Sequence, residues 1–246
     1  PRTKLICVVL YIVALFLASW FATYAVMFLV LAGSVVLSRV PPKSILRGLK
    51  PVLFILIFTA LLNVFYTPGR ILWQWWIFRV TIEGIFTAFF MALRISLLIM
   101  GTFLMTYTTS PIMLTDGMES LMNPLKKLHV PVHELAMMMS IALRFIPTLI
   151  EETDKIMSAQ KARGADFETG SLLQRAKAMV PLLVPLFISA FRRADELAVA
   201  MECRCYHGGE GRTKLKVLRY RGIDYTAFSL GALILAGVIV LARFGL

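Results

Sequence analysis

Residues 5–37 run without a single charged side chain. A stretch of that length cannot be the half-buried element of a soluble domain. About 20 apolar residues cross the ~30 Å hydrocarbon core of a bilayer, and in lipid only helices and closed barrels satisfy their own backbone groups. The run is continuously apolar rather than alternating, which excludes barrel strands. It also exceeds the apolar region of about 7–15 residues found in a secretory signal peptide, and no small-residue cleavage pattern leads into a soluble domain. The sequence therefore predicts an all-α membrane protein. Composition agrees, with 59% hydrophobic and 16% charged residues and a mean hydropathy of +0.78.

The 5–37 block is too long for one span and breaks near Ser19-Trp20, so it reads as a hairpin of two short or tilted helices, about 5–18 and 22–38. A basic, proline-containing segment follows, with Arg39, Pro41, Pro42, Lys43, Arg47 and Lys50. A third span covers about 51–66 and stops at Thr67-Pro68-Gly69. Trp73, Trp75, Trp76 and Phe78 then form an aromatic cluster suited to a membrane–water interface. The fourth span covers about 82–107 and the fifth about 225–241. Three regions follow from this reading: four N-terminal spans in 1–108, a polar module in 109–222 and a C-terminal span in 223–246.

Lys and Arg flanking the spans set the orientation. Arg2, Lys4, the 39–50 segment and residues 109–222 fall on one side, which predicts a cytoplasmic N-terminus and a cytoplasmic module. The 67–81 loop, charged only at Arg70 and Arg79, is then external.

The net charge of +12 conceals an uneven distribution. Residues 109–222 hold 16 of the 26 Lys and Arg and 12 of the 14 Asp and Glu. Mixed charge of this kind suits a solvated, partner-binding surface and not a nucleic-acid arm. Helical periodicity predicts a short helix from near Asp116 to Asn123-Pro124, a second from about Pro131 to Arg163, and a third from about Leu172 to Tyr206. The two long helices are amphipathic, with apolar faces that include Met138, Met139 and Ala142 on one and Leu183 and Phe187 on the other. Pro147, Pro181 and Pro185 lie inside them and are expected to bend or break them.

Few residues can carry chemistry. No Gly-x-x-x-x-Gly-Lys-Ser/Thr loop is present to bind ATP phosphates, and the run Gly208-Gly209-Glu210-Gly211-Arg212-Thr213 has the wrong spacing and reads as the end of the third helix. Cys203, Cys205 and His207 offer soft ligands, but a structural zinc site takes four, and His129 and His133 are some seventy residues away. No metal site is expected. Three cysteines make no disulfide framework. Arg94 lies inside the fourth span, where an ionisable group is costly. With no carboxylate at mid-span it reads as a structural strut to a neighbouring helix, through Asn63, rather than as part of a proton relay.

Both long helices end on an arginine with small neighbours: Ala162-Arg163-Gly164 and Cys203-Arg204-Cys205. Arginine in a last turn complements the helix dipole and glycine beyond it permits a left-handed cap. That explains Arg163 and explains Arg204 less well, because Cys205 and Tyr206 precede the glycines. The other reading leaves each guanidinium open to enter a partner's acidic groove, where its planar fork pairs with carboxylates.

Five strings in order resemble one family: Pro1-Arg2-Thr3-Lys4-Leu5, Ile141-Ala142-Leu143-Arg144-Phe145-Ile146-Pro147, Ala159-Gln160-Lys161-Ala162-Arg163-Gly164, Phe191-Arg192-Arg193-Ala194-Asp195-Glu196 and Met201-Glu202-Cys203-Arg204-Cys205-Tyr206. The family is the transmembrane T component of energy-coupling factor transporters, which includes the cobalt-transporter membrane subunits. The resemblance implies a non-enzymatic scaffold in a bacterial ATP-driven importer of vitamins or trace metals, resident in the cell membrane. It implies two cytosolic ABC-type ATPases docked on Ala162, Arg163, Gly164, Cys203, Arg204 and Cys205. It further implies a small substrate-binding membrane subunit docked on the apolar faces, for which Met138, Met139, Ala142, Leu183 and Phe187 are candidates. ATP and magnesium would be bound by the ATPases, leaving this chain without a cofactor. Family motifs commonly flank the second arginine with alanine and glycine, where this chain has two cysteines. A self-contained secondary transporter or channel is the alternative; it would want an inverted repeat, broken spans and midplane polar groups, none of which is evident. An intramembrane enzyme is a third reading, and it lacks a spaced catalytic pair.

Overall fold

The computed structural model describes every residue except 19, 76, 77, 168, 170, 209–217, 219, 245 and 246, and gives only the backbone of 71–75, 78, 79, 172 and 244. Its helices are α1 (Arg2–Leu17), α2 (Phe21–Ser38), α3 (Pro42–Arg47), α4 (Leu53–Tyr66), α5 (Ile82–Thr108), α6 (Pro111–Met122), α7 (Val132–Ala162), α8 (Leu172–Cys203) and α9 (Gly222–Phe244). Single 3-10 turns lie at Lys50–Val52 and Asn123–Leu128. The chain divides into two compact units, Pro1–Gly117 with Leu218–Leu246, and Met118–Val217.

In the first unit, α1, α2, α5 and α9 enclose a core of Leu15, Ala18, Tyr24, Met27, Leu97 and Val238, each wholly or almost wholly buried. Helix α1 runs antiparallel to α5. Lys4 Nζ donates to the Thr108 carbonyl at 2.9 Å, the Tyr11 hydroxyl to the Leu97 carbonyl at 3.3 Å and Arg94 to the Ala18 carbonyl at 2.7 Å. These three contacts step up α1 as they step down α5. The α1–α2 turn therefore lies level with Arg94, twelve residues or about 18 Å from the start of α5. Helix α2 returns beside α5, with Tyr24 stacked on Phe90 at 5.4 Å and Leu31 and Val35 near Met100 and Leu104.

This hairpin has the chemistry of a turn placed in lipid. Trp20 and Phe21 are 50% and 67% exposed, so its tip is apolar. Several of its described polar groups are satisfied internally, as lipid requires. The Trp20 N–H donates to Thr23 Oγ1 at 3.2 Å, and the Thr23 hydroxyl donates to the Trp20 carbonyl at 2.5 Å. The Ala18 carbonyl is taken by Arg94.

The expected external loop folds as an antiparallel β-hairpin, β1 (Ile71–Trp75) with β2 (Phe78–Thr81), with an irregular register between Ile71 and Trp73. The aromatic cluster falls here, Trp76 lying outside the described residues. Thr81 caps α5: its hydroxyl accepts from the Gly84 N–H at 3.1 Å and donates to the Thr67 carbonyl at 2.8 Å. Opposite it, Glu83 accepts from the Arg70 N–H at 2.7 Å.

Several boundaries differ from the sequence reading. Helix α6 begins at Pro111 and not near Asp116, because Ser110 caps it and proline suits the first helical position; the Met113 N–H reaches Ser110 Oγ at 3.4 Å. The chain passes Asn123-Pro124 as a 3-10 turn. Helices α7 and α8 continue unbroken through Pro147, Pro181 and Pro185. The expected tail Gly209–Thr213 lies outside the described residues.

By length and composition six helical stretches could cross a bilayer: Phe21–Ser38, Pro42–Tyr66, Ile82–Thr108, Val132–Ala162, Leu173–Cys203 and Gly222–Arg243. The five expected spans differ from this set at two places. Helix α1, at 16 residues, is about 24 Å long and falls short. Helices α7 and α8 qualify because their first halves are apolar, Arg144 being the sole charge in 135–150 and none falling in 178–191.

Candidate functional site: two capped helix tips and their crossing

The second unit is organised around α7 and α8, which pack on each other at one node. Glu152 of α7 accepts from the Ser189 hydroxyl of α8 and from Arg193 of α8, the latter at 3.3 Å. The Arg193 guanidinium also lies over the Phe145 ring of α7 at 5.5 Å. A planar cation thus bridges a carboxylate and an aromatic face, a combination lysine does not reproduce. At the other end of α7, His133 Nδ1 meets Glu119 Oε1 at 3.1 Å.

From this crossing each helix runs eleven residues to its arginine, Glu152 to Arg163 and Arg193 to Arg204. At 1.5 Å per residue both arms are about 16 Å long. Both end in the same backbone motif. In α7 the Gly164 N–H donates to the Lys161 carbonyl and the Ala165 N–H to the Gln160 carbonyl, both at 3.0 Å. In α8 the Cys205 N–H donates to the Glu202 carbonyl at 2.8 Å and the Tyr206 N–H to the Met201 carbonyl at 3.0 Å. Each is a Schellman cap, with the residue after the arginine in the left-handed region. Those residues are Gly164 at φ 88° and Cys205 at φ 54°.

The helix-cap explanation therefore holds at both tips, and α8 stops at Cys203 instead of running to Tyr206. The cap also has a consequence for the arginines. Their backbones are fixed as the last residues of two equivalent helices, while their side chains project from exposed positions. Among the described residues neither guanidinium has a hydrogen-bond or ion-pair partner. Ala162, Gly164, Cys203 and Cys205 are exposed as well, and a Cβ added at Gly164 would meet nothing within 4 Å. Each tip presents an exposed positive charge between small, exposed neighbours.

The apolar residues assigned to partner docking are also exposed. Met138 is 54%, Met139 48%, Leu183 47% and Phe187 60% accessible, and Ala142 is exposed beside them. With Leu135, Ile146 and Ile150 they continue as a stripe at helical spacing along α7. Val180, Val184 and Phe191 extend the corresponding stripe on α8.

Arg94 stands in the other unit. Its Nε donates to the Tyr24 hydroxyl at 2.8 Å and a terminal nitrogen donates to the Ala18 carbonyl, and its guanidinium lies 5.8 Å from the Tyr24 ring. The strut ends on α1 and α2. Asn63, the expected partner, is turned back on its own helix and donates to the Thr59 carbonyl at 2.8 Å. Among the described residues no three of His, Cys, Asp and Glu come together as a metal site, and Cys203 and Cys205 are free and exposed.

The crossing residues Phe145, Glu152, Ser189 and Arg193 were not singled out from sequence as a site. Their pairing spans 37 to 41 positions, and no local pattern reveals it.

The sequence matches known proteins over nearly its whole length. The model of the CbiQ family, described as cobalt transport protein, matches residues 1–215. A Bacillus subtilis protein named energy-coupling factor transporter transmembrane protein EcfT is 54% identical over 244 residues, covering 99% of this chain and 92% of its own. Proteins of the same name from Clostridium kluyveri and Ruminiclostridium cellulolyticum are 54% and 51% identical, covering 99% and 98% of this chain and 90% of their own lengths. With that match over nearly its whole length, the chain belongs to the CbiQ family, among the transmembrane components of energy-coupling factor transporters.

Proposed function

We propose that this multi-pass membrane protein is the coupling scaffold of an ATP-driven importer of a vitamin or trace metal. It is a non-catalytic subunit, and ATP and magnesium bind to its partners. Two cytosolic ABC-type ATPases grip the tips at Arg163 and Arg204, with Ala162, Gly164, Cys203 and Cys205 giving the close approach. A small substrate-binding membrane subunit docks on the apolar stripes through Met138, Met139, Ala142, Leu183 and Phe187. Residues 109–222 and the N-terminus face the cytoplasm.

One observation carries this reading: two exposed arginines, unpaired among the described residues, on matching caps, each eleven residues beyond the Glu152–Arg193 pair. A single arginine at a helix end is an ordinary cap. Two made alike, at matched reach, fit a pair of similar receptors that move relative to each other. The guanidinium suits an acidic groove in each receptor, where it makes paired bonds to a carboxylate. The Met-rich stripe suits a surface that accepts different partners, because methionine repacks readily.

The test is co-expression with candidate ABC ATPases and detergent-stable co-purification, for wild type and for the Arg163→Ala/Arg204→Ala double variant. The scaffold reading expects wild type to retain the ATPases and the double variant to lose them while keeping its membrane fold. A double variant that retains them with full ATPase activity overturns it.

A further inference from the structure

We infer that the groove between α2 and α3 is a binding site for an anionic phospholipid, with the acyl chain in the groove and the phosphate on Arg39. The site is independent of the ATPase docking proposed above.

The groove has a volume of about 570 Å³ and is walled by Phe28, Val35 and Val36 of α2, Ile45 and Leu46 of α3 and Met100 of α5, with Arg39 at one end. Phe28, Val36 and Leu46 are each more than half exposed, so the groove opens outward, where lipid lies beside a membrane helix. Its long direction follows α2 from Phe28 to Arg39, eleven residues or about 16 Å. That is the shape of a hydrocarbon chain lying along the helix and ending at a charge.

Charge complementarity points to a phosphate. Arg39, Lys43, Arg47 and Lys50 are all exposed, and among the described residues none has a side-chain hydrogen-bond or ion-pair partner. No carboxylate precedes Glu83 in the sequence. Glu83 is taken up by the Arg70 N–H beside the β-hairpin, and Asp224 by Thr3 and the Arg221 N–H. Among the described residues no carboxylate pairs with this cluster, which leaves its four cations open to an anionic headgroup. Lys and Arg gathered where a helix leaves the bilayer attract anionic headgroups, and the arginine fork matches phosphate oxygens.

The backbone of Arg39 supplies a separate argument. It closes α2 with φ 54° and ψ 22°, a left-handed conformation that glycine adopts without cost. A long cationic side chain kept in a strained position belongs with a function. It also gives a variant whose fold is safe, because Arg39→Gly relieves the strain while removing the charge.

The experiment is native mass spectrometry of the full chain released from detergent with dioleoyl phosphatidylglycerol and dioleoyl phosphatidylcholine in equal amounts. Wild type is expected to retain phosphatidylglycerol severalfold over phosphatidylcholine. Arg39→Gly should lose that preference without a lower unfolding temperature, and Ala32→Trp, at a position of α2 that lines the groove, should reduce retention of both lipids. Equal retention of the two lipids by wild type, or an unchanged preference in Arg39→Gly, overturns the inference. So does a thermal stabilisation of wild type by inorganic phosphate as large as that by phosphatidylglycerol, which would mark a site for the free anion.

Discussion

Gly164 and Cys205 hold one backbone conformation at equivalent places, and only one of them suits it. A left-handed residue with a Cβ costs about 1–2 kcal/mol, against about 0.5–1 kcal/mol of backbone freedom that glycine gives up on folding. Cys205→Gly should therefore stabilise the α8 tip by up to about 1 kcal/mol, and Gly164→Ala should destabilise the α7 tip by a similar amount. Slower and faster amide hydrogen exchange at Tyr206 and Ala165, whose N–H groups close the two caps, would register these changes. On the proposed reading the arginines that precede them act on partners instead of on the fold. Removing one member of a desolvated charge pair costs about 2–5 kcal/mol of binding, so Arg163→Ala and Arg204→Ala should each weaken ATPase affinity by at least about thirtyfold. Their unfolding temperatures should stay at the wild-type value, and titration of the isolated ATPases onto the purified chain would measure the loss.

Among the elements, the α1–α2 hairpin depends on a residue seventy positions away. Arg94→Met leaves the Ala18 carbonyl and the Tyr24 hydroxyl without their donor. A buried polar group stripped of its partner costs about 1–3 kcal/mol. Tyr24→Phe removes only the hydroxyl contact and should cost less. Thermal unfolding in detergent should rank wild type first, then Tyr24→Phe, then Arg94→Met. At the other junction, Glu152→Ala removes the acceptor that joins Ser189 and Arg193 to α7. Spin labels at positions 161 and 202 should then report a broader distance distribution than in wild type. The long helices and their apolar faces were legible in sequence because they follow from periodicity over thirty residues. The α6 start is legible in Ser110-Pro111, a cap followed by a proline at the first helical position, and Asp116 competes with it as an acidic helix-start signal. The end of α8 was not legible, because cysteine seldom occupies the left-handed position that sets it. Arg94 was recognisable as a strut from its cost in lipid, whereas its partners depend on packing between α1, α2 and α5 that no local pattern encodes.

Across the whole molecule, an apolar chain of this kind has no energy source of its own. The described residues offer neither a phosphate-binding loop nor a pair of intramembrane carboxylates, and on the proposed reading movement is driven through the tips. Vesicles containing the purified chain alone should show no uptake above empty vesicles. Uptake should require both the ATPases and the substrate-binding subunit, and accumulation by the chain alone would favour a secondary transporter. The crossing of α7 and α8 has a further consequence. Beyond the node the arms to Arg163 and Arg204 are eleven residues long, while those running back to the starts of α7 and α8 are twenty and twenty-one. All three internal prolines, Pro147, Pro181 and Pro185, lie on the longer arms. On the proposed reading, tips drawn together by their partners make these helices work as scissors with short handles and long blades. The blades then travel nearly twice as far with about half the force, so the device is geared for stroke.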